Sequence, residues 1–314
     1  MKTKYSVVIP HYESAQMLGR MLKSIPERDD IQIIVVDDCS SLKCQDELRL
    51  LQHCGLELVF QKENRGAGAA RNVGLKHVKG EWIIAVDADD FFSKDAFDVF
   101  DKNLNLSYDY LMFCMCYYDP KTNQVVDGGK NVSNQSNIKF LNRPTKANFR
   151  RLKLKSTVCY NKLVRSEFLR EKNIQFEECA VNNDVLYAYE VSLFSNRMKL
   201  IPDALYIKEI VYTGITAKKR DLDREFLFYL QAQKRNGLFD MLGIRRYPFY
   251  RSDLLYALFL LKKRGLKDTI SFFKMRLSRG KDVKEAFDAY RRVLSPITLR
   301  EIDKKIVFCE FERT

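Results

Sequence analysis

The chain has 314 residues, of which 46% are hydrophobic and 30% charged, with only 7 Pro and 13 Gly. This composition predicts a globular protein and excludes a collagen-like or low-complexity chain. The formal net charge of +13 favours an acidic partner, such as a membrane surface, a nucleic acid or an anionic substrate.

The first hundred residues alternate between predicted strands and predicted helices. Short apolar runs predict strands over residues 5–10, 31–36, 56–60 and 82–86, and one of the intervening helices is predicted over 67–78. This alternation predicts an α/β fold with a parallel sheet that helices cover on both faces. Ligands of such sheets bind beyond the carboxyl ends of the strands, so the residues that follow each strand are the candidates for a site.

The pattern changes after residue 107. An aromatic and cysteine-rich run predicts a strand over 110–118, and the polar segment 119–142 predicts a hairpin or a loop. Residues 154–169 predict helical or mixed structure, and residues 184–194 predict a helix.

Beyond residue 216 the chain is predicted to be helical, and Ser295 with Pro296 predicts the start of a last helix. Lys and Arg outnumber Asp and Glu by 24 to 13 between residues 216 and 314. The mixture of cations and aromatic rings over Arg245–Tyr250 favours contact with an anionic membrane surface. A solvated helical face is the other interpretation of this basic tail.

The cysteines and histidines do not form a recognisable metal motif. Cys114 and Cys116 lack the spacing of a zinc knuckle or of a redox pair, so we predict reduced cysteines. The N-terminus does not read as a signal peptide, and the longest apolar runs, over 110–118 and 254–261, are shorter than the roughly 20 residues that span a bilayer. We therefore expect a cytoplasmic protein.

Polar or acidic residues follow three of the predicted strands, as Pro10–Glu13, Asp37–Ser40 and Asp87–Asp90. Carboxylates at adjacent strand ends converge and repel one another, and a cation relieves that repulsion. Mn²⁺ or Mg²⁺, held by one or two carboxylates and by substrate phosphates, would do so. An acidic turn without a ligand is the alternative for the Asp-x-Asp pattern taken alone.

The small residues near Gly66 do not form a known phosphate loop. Gly66 and Gly68 begin a dinucleotide-binding pattern, but Arg71 stands where the third glycine is required. These small residues would let a helix start approach a ligand closely, with Arg71 placing a cation beside it. Packing of the helix against the sheet is the other explanation for them.

Four segments together resemble family 2 glycosyltransferases, which are inverting enzymes with a GT-A fold. The segments are Val7–Glu13, Ile34–Ser40, Glu63–Gly74 and Val86–Asp90. The chain departs from the family pattern at His11, Glu13 and Cys39. The resemblance implies a Rossmann-like mixed sheet with a nucleotide-sugar-binding half over 1–107, an acceptor-binding half over 108–215 and a basic helical extension over 216–314.

The resemblance also implies roles for single residues. The donor nucleotide and sugar would be bound by Pro10, Tyr12, Glu13, Asp38, Arg71 and Asp87. Asp38 would accept a hydrogen bond from the base with Arg71 beside it, and Asp87 would face the ribose and the sugar. Asp89 would hold the Mn²⁺ or Mg²⁺ ion that bridges the two phosphates, with Asp90 able to substitute or to orient the site.

Similar proteins place an acidic pair, which supplies the catalytic base, where this chain has Asn183 and Asp184. The resemblance therefore implies that Asp184 is the base. Capping of the helix that follows is the alternative role for Asp184.

The resemblance implies transfer of a sugar from a nucleotide-diphosphate donor, most simply a UDP-sugar, to a saccharide or lipid-linked saccharide acceptor. Bacterial cell-surface polysaccharide synthesis, at the inner face of the membrane, would suit such an enzyme and its basic tail. A nucleotidyltransferase and a basic protein that binds nucleic acid or membrane are the alternatives, although no nucleic acid-binding motif is present.

Overall fold

The structure is a computed structural model that describes residues 2–126, 132–155, 157–212, 221–241, 253–293 and 310–311. The chain divides into two compact units. The first contains the described residues within 1–179, 183–210 and 305–314, and the second contains those within 180–182 and 211–304. The predicted regional boundaries after residues 107 and 215 stay predictions.

The first unit is built on one mixed sheet. Its strands are β1 (Tyr5–His11), β2 (Ile31–Asp37), β3 (Leu56–Phe60), β4 (Trp82–Ala85), β5 (Phe91–Phe92), β6 (Tyr110–Asp119), β7 (Gln124–Val126), β8 (Lys162–Arg165), β9 (Arg197–Glu209) and β10 (Glu310–Phe311). Its helices are α1 (Ala15–Lys23), α2 (Leu42–Arg49), α3 (Gly66–His77), α4 (Ala96–Asn103), α5 (Val132–Asn142), α6 (Lys146–Lys155), α7 (Ser166–Glu171) and α8 (Val185–Phe194).

The strand order is β10-β9-β6-β8-β4-β1-β2-β3, with β5 paired to β9 and β7 paired to β6. Strands β4, β1, β2 and β3 are parallel, whereas β8 is antiparallel to both of its neighbours. Every residue of β1 and β2 is buried, as expected of parallel strands with a helix layer on each face. The mixed α/β sheet predicted from the sequence is confirmed.

The strands and the helix predicted within the first hundred residues agree with β1 to β4 and with α3 to within one residue at each end. Their apolar runs are short and are bounded by turn residues, so the pattern locates them well. The predicted strand over 110–118 is β6, and the predicted mixed segment over 154–169 contains the end of α6, then β8 and α7.

The polar segment 119–142 is only in part the hairpin or loop that its composition predicts. Strand β7 pairs with the end of β6 as a hairpin, but residues 132–142 form α5, and there the prediction of a loop is wrong. The side chain of Asn134 accepts a hydrogen bond from the backbone N–H of Met115 at 3.1 Å and donates one to its carbonyl at 2.6 Å. This polar side chain is therefore buried against a strand rather than solvated, which composition alone does not reveal.

The second unit is helical, as predicted, and contains α9 (Leu222–Met241), α10 (Asp253–Arg264), α11 (Leu266–Ser278) and α12 (Gly280–Val293). Its core consists of Phe226, Tyr229, Tyr256, Leu260, Phe272 and Val283. None of the described helices combines the length and the apolar character needed to cross a bilayer. The helix predicted from Ser295 and the cluster Arg245–Tyr250 lie outside the described residues.

Candidate functional site

The carboxyl ends of β1, β2 and β4 meet at one edge of the sheet, because these strands are parallel neighbours. His11 is paired in register with Asp37, and the backbone N–H of Val86 donates to the carbonyl of Val8 at 3.0 Å. The polar residues predicted to converge therefore follow strands that end side by side.

Asp87 lies between two cations. Its carboxylate contacts Arg71 Nη2 at 2.5 Å and Lys208 Nζ at 3.2 Å. Burial alone would raise the pKa of Asp87, but Lys208 and Arg71 outweigh burial and hold this pKa below its usual range. Asp87 is therefore a carboxylate whose charge and orientation are set by the protein itself.

Asp90 is fully buried behind Asp87 and is bound by β9. Its carboxylate accepts hydrogen bonds from Tyr206 Oη at 2.7 Å, from the backbone N–H of Glu209 at 2.9 Å and from Lys208 Nζ at 3.2 Å. Burial raises the pKa of Asp90 to about 7. Asp90 thus anchors the acidic turn to β9 and is poorly placed to contact a ligand directly.

Asp89 completes the acidic cluster. Each of Asp87, Asp89 and Asp90 offers a carboxylate oxygen, and these oxygens lie within 4.8 Å of one another. Burial, and then the charge of Asp87, raise the pKa of Asp89. Hard carboxylate oxygens are the ligands that Mg²⁺ and Mn²⁺ prefer, so Asp87 and Asp89 fit such an ion.

Arg20 of α1 supports this turn from the other side. Its guanidinium donates to the carbonyl of Asp89 at 2.5 Å and forms an ion pair with Glu209. It also lies over the rings of Phe91 and Tyr118, at 4.9 and 5.4 Å from their centroids. The backbone at Asp89 is therefore held in place independently of its carboxylate.

Lys208 is charged although it is partly buried. Burial opposes its charge, but Asp87 and Asp90 outweigh burial and raise the pKa of Lys208. Its Nζ also lies 4.7 Å from the centroid of the Tyr160 ring. Neither Lys208 nor Tyr206 was predicted from the sequence, because they reach the cluster through the pairing of β9 with β5 and β6, which has no local sequence signal.

Asp38 directly follows β2 and is buried. Its side chain binds the loop that leads into α3. Its carboxylate accepts from the backbone N–H groups of Arg65 and Gly66 at 2.9 and 2.6 Å, and from Gln61 Nε2 at 2.8 Å. Gly66 has a φ of +85°, a conformation that glycine adopts without strain. A carboxylate has about four acceptor positions, so one remains on Asp38.

The ends of β1 and β2 are joined by buried polar contacts. His11 Nδ1 lies 2.9 Å from Asp37 Oδ1, and His11 Nε2 accepts from the backbone N–H of Ser14 at 3.1 Å. The proton is therefore on Nδ1 and is donated to Asp37. His11, at which the chain departs from the family pattern, thus has a structural role between two strand ends.

The remaining predicted donor residues lie near the end of β1 and in the turn that follows it. Pro10 is buried within the strand, whereas the ring of Tyr12 is 54% exposed. Glu13 has a φ of +49°, and its carboxylate accepts from the backbone N–H of Ser41 at 2.5 Å and from its hydroxyl at 3.0 Å. The turn therefore presents Tyr12 to solvent while Glu13 binds the turn after β2.

Arg71 connects the acidic cluster to the residues before α8. Besides Asp87, its guanidinium donates to Asn183 Oδ1 at 2.8 Å and lies 5.3 Å from the centroid of the Phe176 ring. The side chain is almost completely buried. Asn183, which replaces an expected acidic residue, therefore serves as a hydrogen-bond acceptor for Arg71.

Asp184 directly precedes α8 and is half-buried. Its side chain makes no capping hydrogen bond to the helix, so the alternative that it serves only as a helix cap is wrong. Burial, and then the charge of Asp87, raise the pKa of Asp184, while Arg71 opposes them. The carboxylate thus does not cap α8, and it lies within the field of the acidic cluster.

The glycines of α3 are explained by packing within the protein. A Cβ on Gly68 would lie 2.0 Å from the carbonyl oxygen of Glu177 and 3.0 Å from Asn183 Cβ, and one on Gly74 would lie 2.5 Å from Val8 Cγ1. Gly74 therefore packs α3 against the sheet, as that explanation requires, whereas Gly68 packs α3 against the segment before α8. The contact at Gly68 also brings α3 close enough for Arg71 to reach Asn183.

The family model of glycosyl transferase family 2 matches residues 6–171. TarS of Staphylococcus aureus, a poly(ribitol-phosphate) beta-N-acetylglucosaminyltransferase, is 27% identical over 217 residues, which are 65% of this chain and 35% of TarS. The match thus spans about a third of the length of TarS. An uncharacterized glycosyltransferase of Haemophilus influenzae is 24% identical over 233 residues, which are 69% of this chain and 88% of that protein.

Two solved structures have a similar fold. The crystal structure of TarS residues 1–349 with UDP-GlcNAc matches with a TM-score of 0.61 and 20% identity, over 96% of this chain and 90% of that one. The mannosyltransferase PcManGT of Pyrobaculum calidifontis, in complex with GDP-Man and Mn²⁺, matches with a TM-score of 0.50 and 16% identity, over 98% and 87%. The predicted GT-A fold is confirmed.

Gly68→Ala is expected to lower the free energy of unfolding by about 1 to 3 kcal/mol, because the added methyl group overlaps the backbone at Glu177. Gly19→Ala on α1 is the matched control. Its methyl group would meet only Leu51 Cδ2, at 3.9 Å, so we expect unchanged stability or a gain of up to about 1 kcal/mol. Urea denaturation of both variants measures the difference, and equal stabilities would contradict the packing at Gly68.

Proposed function

Because this chain belongs to glycosyl transferase family 2, we propose that it transfers a sugar from a nucleotide-diphosphate donor to an acceptor hydroxyl with inversion. A UDP-sugar is the donor that we favour, since TarS binds UDP-GlcNAc and UDP in its crystal structures. Membership of this family supports glycosyl transfer and argues against the alternative of nucleotidyl transfer. The observation that carries the proposal is the acidic cluster with Arg71 and Lys208 at the ends of parallel strands.

Asp89 and Asp87 would hold a Mn²⁺ or Mg²⁺ ion, since their oxygens are close together and Asp90 is occupied by β9. Such an ion, when bound, supplies positive charge for the departing diphosphate. The protein's own contribution is to hold the carboxylates in place before the donor arrives. Arg71 orients Asp87, and Arg20 fixes the backbone at Asp89.

We assign the nucleoside to the turns after β1 and β2. The exposed ring of Tyr12 offers an aromatic face, and the remaining acceptor position of Asp38 suits an N–H group of a base. Pro10 and Glu13 shape this edge, because Pro10 is the last residue but one of β1 and Glu13 binds the turn at Ser41. Arg71 would contribute indirectly, through Asp87, which would face the ribose and the sugar.

Asp184 is the proposed catalytic base. In a single inverting displacement, one carboxylate takes the proton of the acceptor hydroxyl while its oxygen attacks the anomeric carbon. The absence of a capping bond leaves this carboxylate able to do so, and its raised pKa makes it a stronger base than an ordinary aspartate. Asn183 supports Asp184 by fixing the adjacent backbone through Arg71.

Binding of the donor is tested by thermal shift with a panel of UDP-, GDP- and dTDP-sugars, with and without Mn²⁺. We expect one class of donor to raise the melting temperature in the presence of Mn²⁺, and Asp89→Asn to lose this effect because a metal ligand is removed. Asp98→Asn, on the exposed face of α4, should retain it. The absence of a shift with every donor would contradict the proposed donor site.

Asp184→Asn is expected to lower the rate of transfer about 10²- to 10⁴-fold, because an amide cannot accept the proton. Donor binding should be unchanged. Asp203→Asn, an exposed position on β9, is the control and should transfer at the wild-type rate. Transfer by Asp184→Asn at the wild-type rate would exclude Asp184 as the base.

The pH profile provides a second measurement on the same residue. A raised pKa means that Asp184 becomes protonated at a higher pH than an ordinary aspartate. Since the base must be ionised, kcat/KM should fall as the pH decreases through this raised pKa. Asp184→Asn should lack this acidic limb.

We also propose that the second unit rests on an anionic membrane surface, where a lipid-linked acceptor would be found. Large apolar side chains are exposed on α10 and α11, namely Leu258, Leu261, Leu266, Ile270 and Leu277. Exposed lysines accompany them, at positions Lys262, Lys263, Lys267 and Lys274. Apolar side chains flanked by lysines complement an acidic bilayer, and this combination favours a lipid surface over a solvated face.

Sedimentation with liposomes tests this surface. The full chain should bind vesicles that contain phosphatidylglycerol. The double variant Leu266→Glu/Leu277→Glu should bind these vesicles with an affinity at least about tenfold lower, because two apolar contacts are replaced by charges that the lipid repels. Leu42→Glu on α2, where Leu42 is 78% exposed, should bind as the wild type does. Equal binding by the double variant would exclude α10 and α11 as the membrane surface.

A further inference from the structure

The acidic cluster already contains a cation. Lys208 Nζ lies 3.2 Å from Asp87 Oδ2 and 3.2 Å from Asp90 Oδ2. Both carboxylates belong to the group whose oxygens lie within 4.8 Å of one another. A divalent ion bound to Asp87 would therefore meet the positive charge of Lys208 at short range, where repulsion is strong.

The charges of the cluster are nearly balanced without a metal ion. Three carboxylates, those of Asp87, Asp89 and Asp90, face two cations, Arg71 and Lys208. Glu209 adds no free charge, because it pairs with Arg20. A cluster with at most one residual negative charge attracts a divalent ion much less than three unpaired carboxylates do. A donor diphosphate would bring the additional negative charge that such an ion requires.

Of the two cations, Lys208 is the one that can turn towards a ligand. The side chain of Arg71 is 5% exposed and is bound at both ends of its guanidinium, whereas the side chain of Lys208 is 28% exposed. The backbone of β9 is held by its pairing with β5 and by the bond from Glu209 to Asp90. The four-carbon stem of a lysine allows its ammonium group to move while the backbone stays fixed.

We propose that Lys208 is a built-in cation of this site, which competes with a divalent ion for Asp87 and turns to the diphosphate when a nucleotide binds. Lys208 thus has two effects of opposite sign. It weakens metal binding by the free protein, and it strengthens nucleotide binding when metal is absent. The second effect rests on the proposed function, because it requires a nucleoside diphosphate as ligand, whereas the first requires only the metal.

The first effect is measured by titrating the full chain with Mn²⁺ in the absence of nucleotide and counting free Mn²⁺ by electron paramagnetic resonance. Lys208→Met should bind Mn²⁺ at least about tenfold more tightly than the wild type, because removal of one adjacent charge commonly changes such equilibria by a factor of ten or more. Lys208→Gln, which keeps a hydrogen-bond donor for the carboxylates, should show the same gain and guards against misfolding of the methionine variant.

Two controls separate local from general charge effects. Lys208→Arg keeps the charge and should bind Mn²⁺ as weakly as the wild type. Lys199→Met removes the same charge from the same strand, where Lys199 is paired in register with Leu111, and should also bind as the wild type does. Unchanged or weaker Mn²⁺ binding by both Lys208→Met and Lys208→Gln would overturn the proposal.

The second effect is measured by titrating UDP in the presence of EDTA. We expect the wild type to bind UDP weakly and Lys208→Met to bind it at least about tenfold more weakly, since an adjacent cation is lost. Equal UDP affinities, or no metal-free binding by the wild type, would overturn the contact with the diphosphate. The Mn²⁺ titration contains no nucleotide, so its result stands or fails independently of the proposed donor.

Discussion

The ion pair between Arg71 and Asp87 joins the parts of the first unit that form the site. Asp87 follows β4, Arg71 belongs to α3, and the same guanidinium binds Asn183, the residue before Asp184. A nearly buried guanidinium requires compensation for its lost hydration, and removal of one partner from such a pair typically costs roughly 3 to 5 kcal/mol. The positions of the acidic cluster and of the proposed base therefore depend on one side chain, and the close approach at Gly68 allows that side chain to reach both.

Much of the fold and part of the site could be predicted because the relevant signals are local. Strands β1 to β4 are apolar runs bounded by turns, and their parallel order places Asp38, Asp87 and Asp89 at one edge of the sheet. The family resemblance added the assignment of Asp184, which position alone would not have singled out. These predictions concern residues within a few positions of a strand or helix end, where the backbone determines what the side chain can reach.

The rest depended on contacts between distant segments. Helix α5 reads as a polar loop because Asn134 is polar, yet its side chain completes the hydrogen bonds of Met115. Lys208 and Tyr206 are more than a hundred residues from Asp87 and Asp90 along the chain, and nothing near them in sequence indicates a carboxylate partner. The structural role of His11 likewise depends on its contact with Asp37, which lies on another strand.

Strand β9 carries an irregularity whose length matters. Phe113 of β6 pairs with Ile201, Cys114 with Ala204 and Met115 with Tyr206, so β9 contains extra residues at two steps. Alternate residues of a strand face opposite sides, and a shift by one residue exchanges them. The number of residues in this bulge thus decides whether Lys208 or the neighbouring Ile207 faces the carboxylates. Two related chains that align perfectly over the acidic triplet can therefore differ in the charge beside it through a single insertion or deletion in β9. Alignments within the family should therefore match β9 by its strand pairing rather than by sequence similarity alone.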